Sequence, residues 1–250
     1  MSSEKTTNLQ LNKWVPTDYV KMDEFNENFD KIDKVAADHA AQLAETSKLG
    51  ALGKLNGQYV AAHRGFGYVF PENTVVAFEN ACKCGADIIE TDIYYTTDNK
   101  FICSHNNDIS TLTDGTGYIT EQSSTDILSY RIVNGSNISL FPGLTLCTFE
   151  EMLTICKRYN KIAMPELKTD NATWTDQRIK GVIDLIIDFG MEEQVIIQCF
   201  DIETLNNIRK INKKVSLLYL GGTINQTVID NVLNIGNACL GIAYNGVTSS

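Results

Sequence analysis

From Gln58 onward, short apolar runs alternate with stretches whose apolar residues recur at helical spacing, and this rhythm constrains the fold more than any other feature. QYVAAH, ADIIETDI, KIAMPEL, QVIIQC and KVSLLYL are strand candidates, with ACLGIAY as a further one. Between them, Thr74 to Cys84, Phe149 to Arg158, Thr175 to Asp188, Ile202 to Ile211 and Gln226 to Ile235 read as helices. Thr148 with Glu151 makes a capping box, and Gly85 and Gly190 sit where helix C-termini are expected. Strands that are apolar on both faces must be covered on both faces. The pattern therefore predicts a parallel sheet wrapped by helices, either a barrel or a doubly wound sheet. IYYT and FICSH are separated only by TDNK, too short a gap for a parallel crossover, so they should form a hairpin that folds His105 back toward the end of its partner strand. The stretch from Asn106 to about Leu146, rich in Gly, Ser, Thr and Asn, reads as a long loop with one short helix that walls a pocket.

The first 57 residues differ. From Met22 to about Ser47 they read as one helix, with Phe25, Phe29, Ile32, Ala36, His39 and Leu43 at alternating steps of four and three. Such a stripe calls for a partner helix. The expectation is a coiled coil that makes the protein a homo-oligomer, a trimer among the options, with docking of the helix on its own domain as the alternative. Gly50, Gly53 and Gly57 read as a linker, which divides the chain into an attachment segment, 1–57, and an αβ domain, 58–250.

A formal charge of −10 argues against nucleic acid, whose binding draws on clustered Lys and Arg. It leaves room for a small phosphate-bearing substrate held through a cation. No apolar stretch is long enough for a membrane span, and MSSEKTTNLQ has neither the basic start nor the apolar core of a secretory signal. Cytoplasmic synthesis is expected, with a virion tail or the cell exterior as destinations reached by another route. Seven irregularly spaced cysteines fit reduced, buried small hydrophobes better than a disulfide framework or a zinc site.

Reactive groups in αβ sheets and barrels gather at the carboxyl ends of the strands. His63 and Arg64 close the first strand, Glu90 and Asp92 the second, His105 ends the hairpin, and Glu166 and Lys168 close KIAMPEL. Glu90 and Asp92 are two residues apart, so their side chains share a face. Two carboxylates held together in a pocket need a cation or a proton between them. A third from Glu166 would complete an oxygen site suited to Ca²⁺ or Mg²⁺ rather than zinc, whereas exposure of the pair on a free face is the plainer alternative. His63 and His105 beside such a cluster suit an acid and base pair, though a strand-end histidine is often only structural. Arg64 and Lys168 could neutralise phosphate oxygens or simply pair with the acids.

The run HRGFGYVFPENTVVAFENACKCGADIIETDIYYTTDNKFICSHNND, followed by TFEEML, PELK and VIIQCFD, resembles the glycerophosphodiester phosphodiesterase family in motif order and spacing, from about Val60 to Asp201. The resemblance implies a TIM-type (β/α) barrel in which Glu90, Asp92 and Glu166 bind a divalent metal. It also implies that His63 and His105 act as general acid and base, and that Arg64 and Lys168 contact phosphate. Glu72 and Asn73 belong to the family's ENT element, where Glu72 would hydrogen-bond within the site and Asn73 or Thr74 could merely cap a helix. The implied reaction is attack by a neighbouring glycerol hydroxyl on phosphorus, giving a cyclic phosphate that is then hydrolysed.

Two departures from the family pattern stand out. Asn106 replaces the Asp that usually follows the second histidine. From Gln58 on there are about 190 residues against about 250 for a typical barrel, with no counterpart of the last two strands. TTNLQLNKWVPTDYVKMDEFNENFDKID resembles N-terminal segments of phage and prophage tail or baseplate proteins of Gram-positive hosts. The leading expectation is therefore an enzyme acting on glycerophosphodiesters or on glycerol-phosphate polymers such as wall teichoic acid. The alternative is a non-catalytic tail or receptor-binding protein with a degenerate barrel.

Overall fold

The computed structural model describes residues 50–243, together with Glu4–Lys5, Asn12–Lys13 and Lys34. The chain divides into two compact units, Met1–Lys48 and Leu49–Ser250. In the first, strands β1 (Glu4–Lys5) and β2 (Asn12–Lys13) pair antiparallel. The heptad stripe, the coiled coil expected from it and the tail-like segment lie outside the described residues.

In the second unit, six parallel strands run in the order β3 (Ala61–Ala62), β4 (Ile88–Tyr95), β7 (Ile162–Leu167), β8 (Ile196–Cys199), β9 (Ser216–Gly221) and β10 (Ala238–Ile242). Helices α1 (Val75–Lys83), α3 (Phe149–Tyr159), α4 (Asp176–Asp188), α5 (Ile202–Ile211) and α6 (Gln226–Ile235) lie between strands in sequence, within a residue or two of the periodicity's bounds. Local chemistry accounts for the helix ends. Thr148 accepts from the Glu151 amide while the Glu151 carboxylate accepts from the Thr148 amide, and Gly85 and Gly190 take positive φ where α1 and α4 finish.

The pleat sorts the side chains. Ile89, Ile93, Ala163, Leu167, Ile197, Cys199 and Leu217 join the large core beneath the helices. Their neighbours Ile88, Met164 and Ile196 form a separate apolar cluster inside the sheet's curve, which Ala51 completes with no exposed surface. The glycine-rich segment read as a linker thus packs into the αβ unit at this point: Leu52–Lys54 form a 3-10 turn, and the Leu52 amide donates to Ser216 Oγ.

QYVAAH yields only a two-residue strand. Among the described residues β3 pairs on one side alone, and the Val60 amide is taken by the Asp87 carboxylate. At the other end of the sheet β10 pairs, among the described residues, with β9 alone and is half-buried along its length. The described residues therefore supply six of the eight parallel strands of a TIM-type barrel.

The hairpin forms as expected. Strand β5 (Phe101–Cys103) pairs antiparallel with the end of β4, and β6 (Cys147–Thr148) pairs with β5. The segment read as a long loop has a core of its own: Ile109, Ile119, Ile127, Ile132 and Leu146 pack with Tyr94 and Ile102 around a short helix, α2 (Ser124–Ser129). Gly and Asn gave it a loop-like composition, but the isoleucines between them are numerous enough to exclude water. All seven cysteines are free thiols, five of them buried. No helix among the described residues is long and apolar enough to cross a membrane.

Candidate active site

Strand β4 is buried along all eight residues, and on its inward face Ile88 is followed by Glu90 and Asp92. In register beside it, Asp92 is opposite Glu166 of β7, and Glu166 is opposite Gln198 of β8. The pleat thus brings three acids from two strands together: a ligand oxygen from each of Glu90, Asp92 and Glu166 lies within 4.8 Å of the others, and all three residues are buried.

The neighbouring charges partly compensate this cluster. Lys168 Nζ lies 3.1 Å from Glu166, 3.7 Å from Asp92 and 3.8 Å from Asp170, and the Trp174 indole N–H holds the Lys168 carbonyl at 2.8 Å. Arg64 Nε is 3.5 Å from Asp92, while its Nη1 donates to both oxygens of Glu72 at 3.0 and 2.9 Å. Both cations are ion-paired, as one of the two expectations for them had it. Arg64 Nε is buried and, beyond its 3.5 Å approach to Asp92, has no hydrogen-bond acceptor.

Glu90 receives hydrogen bonds from neutral groups, the Arg64 backbone N–H at 2.6 Å and Gln198 Nε2 at 2.9 Å. Burial, then the charge of Asp92, pushes its carboxyl up to about 8, and the same two causes raise Glu166. Three buried carboxylates are more negative charge than the site neutralises by itself. The donor set is all oxygen and converges from two rigid strands, so it fits a divalent hard cation.

His63 follows β3 at the rim. Burial, reinforced by Arg64, holds its imidazole below the ordinary value. His105 follows β5, and its Nδ1 is 2.9 Å from Asn106 Oδ1. This contact ties the ring to Asn106. Asn106 thus orients the ring much as an aspartate would, without adding a charge.

Glu72 accepts from Arg64 Nη1 on both carboxylate oxygens. Asn73, completely buried, is not the helix cap. Its Nδ2 donates to Asp92 at 3.0 Å and its Oδ1 accepts from Thr91 at 2.8 Å, while Thr74 caps α1 by accepting from the Ala77 amide. Arg64 and Asn73 both adopt left-handed backbone, φ 53° and 54°. For Asn this conformation is mild, but for Arg it is uncommon, and it is held by the Glu90 bond on its own amide and by the Asn73 N–H on its carbonyl. Gly65 is required next to it, because at φ 72° a Cβ would lie 2.8 Å from the Ala77 carbonyl carbon.

Gln198 is the site residue that sequence reasoning missed. Its position near the carboxyl end of QVIIQC, on the same inward face as the acids, is the signal that could have found it.

The sequence profile of the glycerophosphoryl diester phosphodiesterase family matches residues 63–236. The chain is similar to a glycerophosphodiester phosphodiesterase of Caldanaerobacter subterraneus, 30% identical over 169 residues, covering 66% of this chain and 68% of the relative. It is also similar to a Bacillus subtilis glycerophosphodiester phosphodiesterase, 25% identical over 169 residues, covering 64% and 58%. The chain thus spans about three fifths to two thirds of the length of these curated relatives. Among solved structures, the fold is shared with an Oleispira antarctica phosphodiesterase in complex with the product sn-glycerol-3-phosphate, at TM-score 0.69, 19% identity and coverage of 76% and 77%. It is shared too with a glycerophosphodiester phosphodiesterase from Parabacteroides distasonis, at TM-score 0.59, 22% identity and coverage of 75% and 74%. With the match spanning the strands that carry both imidazoles and all three acids, the chain belongs to the glycerophosphoryl diester phosphodiesterase family.

Proposed function

We propose that this protein hydrolyses glycerophosphodiesters at a divalent-metal site formed by Glu90, Asp92 and Glu166. The observation that carries this reading is the convergence of three buried carboxylates within 4.8 Å, beside two cationic side chains and two imidazoles. A Ca²⁺ or Mg²⁺ ion bound there supplies Lewis acidity toward a phosphoryl oxygen.

The rest is the work of the chain's own groups. Arg64 and Lys168, the two cations beside Asp92, neutralise the other phosphate oxygens. His63, held neutral by burial and by Arg64, takes the proton of the substrate's neighbouring glycerol hydroxyl as that oxygen attacks phosphorus. His105, with Nδ1 hydrogen on Asn106, gives a proton from Nε2 to the departing alkoxide. Water then opens the cyclic phosphate with the two roles exchanged. Gln198 and Asn73 hold Glu90 and Asp92 in the positions this requires.

The reading extends to glycerol-phosphate polymers such as wall teichoic acid, with the tail-like N-terminal segment as attachment and oligomerisation element; the resemblance of that segment supports the extension. A non-catalytic receptor-binding role is opposed by the retention of every acid, both imidazoles and the hydrogen bonds that orient them. The test is a metal-dependent assay on glycerophosphoglycerol and on poly(glycerol phosphate). Chelation should abolish, and Ca²⁺ or Mg²⁺ restore, release of glycerol phosphate from both. Turnover of the small diester alone would remove the polymer extension, and turnover of neither would remove the activity.

A further inference from the structure

Between His105 and the folded insertion lies a cavity of about 240 Å³, lined by Glu72, Asn106, Thr111, Asn134 and Ser136 among others. Its walls are tied together. Ser136 Oγ donates to the Gly67 carbonyl at 3.1 Å, Asn137 Nδ2 to the Val69 carbonyl at 2.9 Å, and Asn134 Nδ2 to the Thr111 carbonyl at 3.2 Å. The backbone amides of Val133 and Asn134 both hold the Leu112 carbonyl. This is a pocket whose shape is set before a ligand arrives.

Its chemistry is narrow. Apart from the His105 imidazole no ring lines it, and its one carboxylate, Glu72, is committed on both oxygens to Arg64 Nη1, so it offers neither the Trp, Tyr or Phe faces nor the free negative charge that hold a quaternary ammonium. Leu112 is the only large apolar residue in the lining, too little surface for an acyl chain. What it does offer is neutral hydrogen bonding. Asn134 Oδ1, Asn106 Nδ2 and Thr111 Oγ1 have no partner among the described residues, and they surround the imidazole that meets the departing oxygen.

Building on the phosphodiesterase reading, we infer that this pocket receives an uncharged polyol, a glycerol or sugar unit, as the alcohol released from phosphate, in preference to choline or another cationic head group. On cleavage the bond from phosphorus to the polyol oxygen breaks, and that oxygen takes its proton from His105. A site that matches hydroxyls discriminates strongly against a ligand lacking them, because its own donors and acceptors are then left unpaired.

The test compares kcat/KM for glycerophosphoglycerol and glycerophosphocholine. The parent should favour the polyol diester by about tenfold or more, and Asn134→Ala or Thr111→Val should shrink that ratio about fivefold, chiefly by raising KM for glycerophosphoglycerol. Equal rates on the two diesters in the parent, or a ratio that stays put in both variants, would overturn the inference while leaving the hydrolytic activity standing. If the parent turns over neither diester, the activity itself falls, and calorimetric titration of the same two compounds decides the pocket alone. Tighter binding of glycerophosphoglycerol would sustain it, and equal or weaker binding would end it.

Discussion

The two ends of the barrel interior are built on the same inward face of the same strands, yet their physics is opposite. At the amino end Ile88, Met164 and Ile196 close over Ala51 and exclude water. Two residues further along each strand stand Glu90, Glu166 and Gln198, buried to a similar degree and mutually repelling or hydrogen-bonded. One end holds the sheet together, while the other keeps acids where an isolated carboxylate would be unstable. The strongly paired centre, β4 between β7 on one edge and β3 and β5 on the other, carries that load.

The comparison can be broken most forcefully at Glu90. Glu90→Gln should lower kcat/KM by about a thousandfold, since it removes an acid from the proposed metal centre. In metal-stripped protein the same change should alter stability in a definite direction. The Glu90 carboxyl, ordinarily at 4.5, is raised to about 8 in the fold, so between those values the folded state holds a proton that the unfolded state has released. Stability must therefore fall as pH rises from about 4.5 to about 8. Glu90→Gln should remove that slope, and thermal melts in chelator across this range measure it. A slope unchanged by the substitution would mean that the repulsion at this end is illusory.

At the opposite end, Ile196→Ala should cost about 3 kcal/mol in chemical denaturation through loss of burial and creation of a void. The kcat of whatever remains folded should change little. Loss of turnover without loss of stability would contradict the division between the two ends.

The smallest effect concerns His63. Burial, then Arg64, lowers its pKa, so the proton-accepting form persists to a pH below the ordinary 6.5. The acid limb of kcat/KM should lie under that value, and a cation bound at the proposed centre would act in the same direction. A limb above 6.5 would show that another group accepts the proton.

Much of this was legible in the sequence because it rests on local periodicity. Alternating apolar runs gave the strands, helical spacing gave five helices almost to the residue, and TDNK gave the hairpin. The acids were visible because charge inside ADIIETDI and KIAMPEL has no reason to be there unless something holds it. What escaped depends on pairing between distant segments. QYVAAH could not reveal that it would pair over two residues only, and Ala51 carries no mark of its buried position. Gln198 is a common polar residue until β8 is set beside β7. The insertion's own core escaped because glycine and asparagine outweighed its isoleucines in composition, although the isoleucines decide its packing.

The β4–β5 hairpin has a kinetic consequence. Asp92 and His105 are thirteen positions apart in the sequence, and the Ser104 amide donates to the Asp92 carbonyl at 3.0 Å across the turn. Hairpins assemble in microseconds, whereas parallel neighbours must wait for long loops to close. An acid and an imidazole of the centre are therefore brought into register early in folding, before β7 is recruited with Glu166.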